Sequence, residues 1–404
     1  MVDTAERLAS LTAADLVSVV RQVLADEGAW PSRWSVESPD WIHLWPTTRG
    51  TYRISGLAET AVGEQPWLVV LKIVGAVDLP GHHEPTDPFY WKREPMALSS
   101  ELLQDWPGPF APVRCWAVDD VAEDESWVWL ECLEFGDTKR RWSSGEHVAA
   151  AFDLGVFNGQ WSGRTAELEN VDWLARRWLR AWVDLAAVWG ADRVAQDGAC
   201  WEHPLIAACV PASTRVRYQD QLSDASALLT VWESLPVVLA HQDPQWRNLF
   251  TADPGKPARR GVRTVAIDWS FVGLAPLGAD LGYLIGCDIE HRAVPPAAAA
   301  RHVQEMTSAY LAGLQRHGWS GDERAVRFVR AATAALQMVP LFGAEISWLD
   351  DTSPEEGVEA GRWPDELAER HGISVPELMS GWASNFTLML DLGDEARRLA
   401  AQLF

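Results

Sequence analysis

Two short apolar runs, each ending in a set of polar residues, constrain this chain more than any other feature. Leu235-Pro236-Val237-Val238-Leu239-Ala240 stops at His241-Gln242-Asp243, and Arg263-Thr264-Val265-Ala266-Ile267 stops at Asp268-Trp269. Apolar runs of this length, bounded by turn residues, read as strands. Between them, the stretch from Thr251 to Arg260 contains Asp253-Pro254-Gly255-Lys256-Pro257, a dense turn cluster. The spacing predicts a hairpin that presents polar side chains before one strand, from His241 to Asn248, and Asp268 directly after the next.

These residue types suit one kind of chemistry. Moving a γ-phosphoryl group needs a carboxylate to orient the accepting hydroxyl and oxygen ligands to hold Mg2+ on the triphosphate, because the work is positioning and charge neutralisation. Asp243 fits the base. Asn248 and Asp268 fit the preference of Mg2+ for a few hard oxygen donors.

The pattern His241-x-Asp243-x-x-x-x-Asn248, then Ile267-Asp268-Trp269 with its aspartate 20 residues after the asparagine, then Asp280-Leu281, resembles the aminoglycoside phosphotransferase and choline kinase branch of the protein-kinase-like fold. The resemblance implies an α+β, two-lobe fold, with a small mostly β N-terminal lobe and a larger mostly helical C-terminal lobe. It also implies an O-phosphotransferase that requires Mg2+ and uses ATP or GTP. Within that family reading, Asp280 braces the catalytic loop and His241 organises it. Two departures stand out: Gln242 sits where relatives commonly have glycine, and Pro244 where they have leucine. Arg247, directly before Asn248, either reaches the γ-phosphate or the acceptor through its guanidinium fork, or pairs structurally with a nearby acid.

The upstream sequence supplies the remaining parts. Gln65-Pro66-Trp67-Leu68-Val69-Val70-Leu71-Lys72-Ile73-Val74 reads as a buried strand carrying one lysine, and a charge inside such a run needs a partner. The resemblance implies that Lys72 holds the α- and β-phosphates and that an acid on the following helix tethers it. Glu94 is the preferred acid over Glu84 and Glu101; the alternative for Lys72 is an edge-strand lysine with its head in water. The stretch Pro46 to Gly56, with Gly50 and Thr51, is expected to form a nucleotide-covering turn whose amides face phosphate. Trp127 to Gly136 is expected to be the strand running into the hinge, where Glu131 and Leu133 offer main-chain groups to the nucleotide base.

Composition sets limits. With 34 basic and 57 acidic residues the net charge is −23, which disfavours nucleic acid and anionic membranes as partners. Five cysteines form no C-x-x-C pair and point to a reducing, cytoplasmic setting. No signal-peptide pattern is expected at the start, and no run reads as long and apolar enough to span a membrane. Tryptophan is over-represented, at 24 residues. Trp178 and Trp182, four residues apart, should share a helix face, and core packing is the plainer reading of most of them. Trp246, inside the loop, is the candidate stacking platform for an acceptor.

The expected organisation is an N-terminal helical extension over 1–40, a nucleotide-binding lobe over 41–130, a hinge over 131–136 and a helical lobe over 137–404 that contains the catalytic hairpin, 235–284. Helices are expected near 146–161, 173–189, 297–316, 323–338 and 374–404, with 351–357 a surface loop. Asp288, Glu290 and His291 either line an acceptor site or form a solvated loop. The leading functional expectation is phosphorylation of a small-molecule hydroxyl, on a sugar-containing natural product or antibiotic, in resistance or biosynthesis. The alternatives are a kinase of a metabolite (sugar, choline, homoserine) or of a peptide hydroxyl, and a nucleotide-binding pseudokinase scaffold. The partners are thus a nucleoside triphosphate and a small acceptor.

Overall fold

The computed structural model describes residues 4–38, 46–78, 82–103, 108–133, 142–251, 261–349 and 363–403. In chain order its helices and strands are α1 (Thr4–Ala9), α2 (Ala13–Leu24), β1 (Trp30–Glu37), β2 (Thr48–Thr60), β3 (Gly63–Gly75), α3 (Arg93–Ser99), β4 (Phe110–Pro112), β5 (Cys115–Ala122) and β6 (Glu125–Glu131). Then follow α4 (Ser144–Gln160), α5 (Trp178–Ala186), α6 (Asp192–Gln196), α7 (Pro204–Cys209), α8 (Ser213–Glu233), β7 (Val237–Ala240), β8 (Leu249–Thr251), β9 (Thr264–Ala266) and β10 (Gly273–Pro276). The chain ends with α9 (Ala279–Glu290), α10 (Pro296–Arg316), α11 (Glu323–Trp348), α12 (Trp363–His371) and α13 (Val375–Leu403). The α+β division expected from the sequence is the one observed: an antiparallel sheet in the N-terminal part and mostly helices beyond it.

The sheet order is β1-β2-β3-β6-β5, antiparallel throughout. Its central strand, β3, is apolar on both faces, and strand parity sorts its side chains. Val69, Leu71 and Ile73 join a core with Leu16, Val19 and Val20 of α2. Val70 and Val74 join the other core, which runs on into the helical part. Lys72 shares the parity of Val70 and Val74, so its side chain is directed toward α3 and the helical part. It lies mid-sheet, opposite Thr51 on β2 and Val128 on β6, and not on an edge.

Several expectations are corrected here. The range 1–40 is not only a helical extension: β1 is an edge strand of the sheet, and α2 covers one sheet face. Gly50 and Thr51 form no turn. Both lie inside β2, paired with Ile73 and Lys72, because Thr48–Thr60 is one long strand matched to the apolar β3. The connection between β1 and β2 comes earlier, and its residues 39–45 lie outside the described residues, as do the turn cluster at 253–257, the loop at 351–357 and the end of the expected hinge, 134–136. Among the described residues one helix, α11, is long and apolar enough to cross a membrane by length and composition, but 83% of that window is buried inside the protein. The alanine-rich face that makes it so apolar packs against α9 and α13 as the centre of the helical core.

Helices α4 and α10 approach closely. A Cβ at Gly155 would lie 2.2 Å from the Tyr310 carbonyl oxygen, and one at Gly313 would lie 2.2 Å from that of Phe152. This contact draws the faces of α4, α9 and α10 together beneath the loop that follows β7.

Candidate active site

The expected hairpin exists, with a different pairing for its first run. β8 and β9 pair antiparallel, Leu249 opposite Ala266, so the loop from His241 to Asn248 enters β8 and Asp268 leaves β9. β7 itself pairs with β10, Ala240 opposite Gly273, a short strand that gave no signal of its own in the sequence.

The loop is fixed by one carboxylate. Asp280, in the first turn of α9, accepts the backbone N–H of His241 at 3.1 Å and of Gln242 at 2.8 Å, and the Asn158 amide at 3.0 Å. The Tyr310 hydroxyl in turn donates to Asn158 Oδ1 at 2.8 Å and accepts the Gly278 N–H. His241 clips the loop to the end of β9. Its Nδ1 accepts the Asp243 N–H at 3.2 Å, which leaves the proton on Nε2, facing the Ile267 carbonyl at 3.0 Å. Burial lowers the proton affinity of this imidazole against the pull of Asp280, so the neutral tautomer that the clip needs is the one favoured.

The departure at Gln242 has a visible consequence. Its backbone has φ 65°, a left-handed conformation that glycine adopts freely and other residues at a cost of about 1–2 kcal/mol. Side-chain bonds from Gln242 Nε2 to the carbonyls of Ala175 (3.3 Å) and Phe271 (3.2 Å) hold it there. Gly273 makes room for that amide, since a Cβ there would stand 2.4 Å from Gln242 Nε2.

Asp243 is buried among neutral partners. Asn248 Nδ2 donates to its Oδ2 at 2.9 Å and to its carbonyl at 3.1 Å, Gln245 Nε2 donates to its Oδ1 at 3.1 Å, and the Tyr283 phenol donates to the carboxylate. Burial, reinforced by the negative charge of Asp268, pushes the Asp243 carboxyl from 3.8 up to about 7 despite these bonds.

Lys72 ties the sheet to the helical part. Its Nζ lies 2.6 Å from Glu94 Oε2 and 3.0 Å from Asp268 Oδ1. Glu94, on α3, is the acid that meets it, and it also accepts the Trp269 N–H at 3.2 Å. Burial alone would lower the lysine's proton affinity, but the two carboxylates raise it. Asp268 has φ 58° and takes a 2.6 Å bond from the Ser270 hydroxyl. Burial works against its charged form, yet Lys72 and Ser270 hold its carboxyl below the ordinary value.

These atoms also fit a hard divalent cation. Asn248 spends its Nδ2 on Asp243, which turns its amide oxygen away from that carboxylate. Among the described residues, none donates to Asp268 Oδ2. One amide oxygen and one carboxylate are the sparse oxygen set that Mg2+ accepts beside phosphates and water.

The remaining expected residues are placed as follows. Glu131 ends β6 opposite Val69, with its backbone N–H donated to the Arg114 carbonyl at 2.8 Å, and Leu133 follows two residues later. Arg247 is exposed, its guanidinium 5.3 Å from the centre of the half-buried Trp246 ring and within the field of Glu290. Among the described residues no ion pair holds Arg247, so this placement favours neither of its two readings. Asp288 and Glu290 belong to the C-terminal turns of α9 and not to a solvated loop, and Asp288 is fully buried. Trp178 stacks on Trp182 at 5.5 Å and also packs against Tyr283, so this pair is core. Tyr283, Gln245, Ser270 and Asn158 went unread in the sequence. For Tyr283 the missed signal is its place one helical turn (i+3) after Asp280, on the face that meets the loop.

No family model and no curated protein matches the chain. Solved structures similar to it include an amicoumacin kinase in complex with AMP-PNP, Ca2+ and Ami (11% identity, 94% of this chain and 96% of that chain covered, TM-score 0.46). Others are a microcompartment-associated aminopropanol kinase (14%, 95% and 99%, 0.47) and a choline/ethanolamine kinase family protein from Mesorhizobium loti (14%, 91% and 92%, 0.41). With TM-scores below 0.5, these likenesses decide nothing about this chain, whose fold and site stand on their own geometry.

Proposed function

We propose that the chain is a Mg2+-dependent O-phosphotransferase that moves the γ-phosphoryl group of ATP or GTP to a hydroxyl of a small molecule. The observation that carries this reading is the convergence of Lys72, Glu94 and Asp268 on one ion-paired centre, with Asp243 and Asn248 hydrogen-bonded to each other on the loop across the β8–β9 hairpin.

Lys72, held charged and oriented by Glu94, binds the α- and β-phosphates as they take the place of Asp268 at its Nζ. Asn248 Oδ1 and Asp268 would hold Mg2+, whose charge would supply neutralisation for the transferring phosphoryl group. Asp243 orients the acceptor hydroxyl. As the acceptor oxygen bonds to the γ-phosphorus and the bond to the β-phosphate bridging oxygen breaks, the hydroxyl proton passes to the Asp243 carboxylate. A carboxyl poised at about 7 suits that role at neutral pH, where an ordinary aspartate would be a weaker base. Glu131 and Leu133, where β6 leaves the sheet, offer main-chain groups to the base of the nucleotide. Trp246 is the stacking surface for an acceptor that carries a ring, and a sugar-containing natural product or antibiotic is the class that best uses it.

The test is phosphate transfer with Mg·ATP and Mg·GTP across aminoglycosides, nucleoside antibiotics, sugars and choline, with wild type beside Asp243→Ala. Transfer to one acceptor that vanishes in the variant is the expected result. A wild-type protein that binds no Mg·nucleotide by calorimetry would sink the proposal.

A further inference from the structure

A second constellation lies deeper in the helical part and takes no part in the chemistry above. His147 on α4, Asp288 on α9 and His302 on α10 are 0%, 0% and 2% exposed. Asp288 Oδ2 stands 2.9 Å from His147 Nδ1 and 2.9 Å from His302 Nε2, and one ligand atom from each residue lies within 4.8 Å of the others. The three helices deliver these atoms through the close α4–α10 contact at Gly155 and Gly313.

Hydrogen bonding within the protein does not account for the cluster. His302 Nε2 is aligned with Asp288, but His147 is not: although its Nδ1 is 2.9 Å from the carboxylate, neither of its ring nitrogens makes a hydrogen bond among the described residues. Asp288 Oδ1 and His302 Nδ1 are likewise unpartnered there. Buried polar atoms in such numbers are unusual, because each gives up its hydration for nothing. A cation at the centre would take the lone pairs that no N–H reaches.

We propose that His147, Asp288 and His302 form a buried binding site for a Zn2+-type divalent ion, separate from the Mg2+ ligands Asn248 and Asp268. The donor chemistry selects the ion: two imidazoles and one carboxylate suit zinc and its neighbours, whereas Mg2+ and Ca2+ prefer oxygen alone. Neighbouring ligands of a tetrahedral zinc, each about 2.0–2.1 Å from the metal, stand roughly 3.3 Å apart, so the observed pairs reach that spacing by small shifts. The second oxygen of Asp288 is at hand as a further donor. The ion's role is structural. Asp288 lies two helical turns beyond Asp280 and next to Cys287, whose thiol is bonded to Tyr283, so the clamp anchors the helix that supports the catalytic loop from below.

The experiment uses the full chain, stripped with chelator, dialysed and titrated with Co2+ in excess Mg2+, which keeps the oxygen-ligand site filled. The expected result is one tightly held Co2+ with intense visible ligand-field bands, a raised melting temperature, and competition by Zn2+. His302→Gln and His147→Gln should lose the bands, and Asp268→Asn should keep them. Absence of nitrogen-ligated Co2+ in the wild type would overturn the proposal, as would bands that survive in both histidine variants or vanish in Asp268→Asn. Should a histidine variant not fold, the wild-type spectrum and the Asp268→Asn spectrum still decide it.

Discussion

Asp243 and Asp268 flank the same hairpin and hold their protons with opposite strength. Asp243 is 5% exposed and bonded only to neutral donors, from Asn248, Gln245 and Tyr283; burial raises it to about 7. Desolvation works on Asp268 as well, but Lys72 at 3.0 Å and the Ser270 hydroxyl at 2.6 Å hold its carboxyl below the ordinary value. The contrast teaches that the two carboxylates are prepared for different work by their neighbours and not by their own chemistry. One is kept proton-hungry, which suits the base of the proposed function, and the other is kept ionised, which suits its metal ligand.

The largest test of that contrast is Asp243→Ala. With the proposed base removed, turnover should fall by roughly 10²- to 10⁴-fold while Mg·nucleotide affinity stays near the wild-type value, read by steady-state kinetics and calorimetry. Retained turnover would transfer the role to another group. Next comes Lys72→Ala, which strands Glu94, 1% exposed on its side chain, without its counter-charge. Breaking a buried pair in this way should cost about 3–5 kcal/mol of stability in urea unfolding, and a loss under 1 kcal/mol would mean that water already screens the pair.

A third prediction concerns pH. The folded Asp243 carboxyl, raised from 3.8 to about 7, binds more protons than the unfolded chain between those values. Its contribution to stability is therefore fully present below the lower value and lost as pH rises through the upper one. Asp243→Asn should accordingly raise the melting temperature at pH 8, with the gain shrinking toward pH 5. A pH-independent difference would place the carboxyl in its ordinary range. The smallest effect is expected for Arg247→Ala. This exposed side chain over Trp246 should change turnover by less than about tenfold, below the range for removing a general base; a larger loss of kcat would restore it to the phosphate.

Most of this site was legible because it is assembled from short stretches, each of which breaks a local rule within a few residues of chain. A lysine in an apolar run, and polar sets at the ends of two others, are conspicuous in sequence. Helices α4, α10, α11 and α13 were legible for the same reason, since apolar periodicity is a local property. What could not be read depends on long-range pairing. The β2 strand absorbed Gly50 and Thr51 because thirteen residues of β3 offered it continuous partners, and a hydroxyl beside a glycine looks the same in a strand as in a turn. Tyr283 and Gln245 could not be assigned to Asp243 without knowing which face of α9 meets the loop.

The sequence by itself determined the α+β order of elements, the spacing of His241, Asp243, Asn248, Asp268 and Asp280, and the presence of one charge on the central strand. Only the tertiary structure decided that Glu94, and neither Glu84 nor Glu101, meets Lys72, that Gln242 takes a left-handed backbone held by two carbonyls, and that His147, Asp288 and His302 converge from three helices. The physical reason is that type and spacing follow from local backbone geometry. Proton affinity, counter-charge and coordination depend on distances between groups that the chain separates by up to 196 residues, as it does Lys72 and Asp268, and burial brings those groups within a few ångströms.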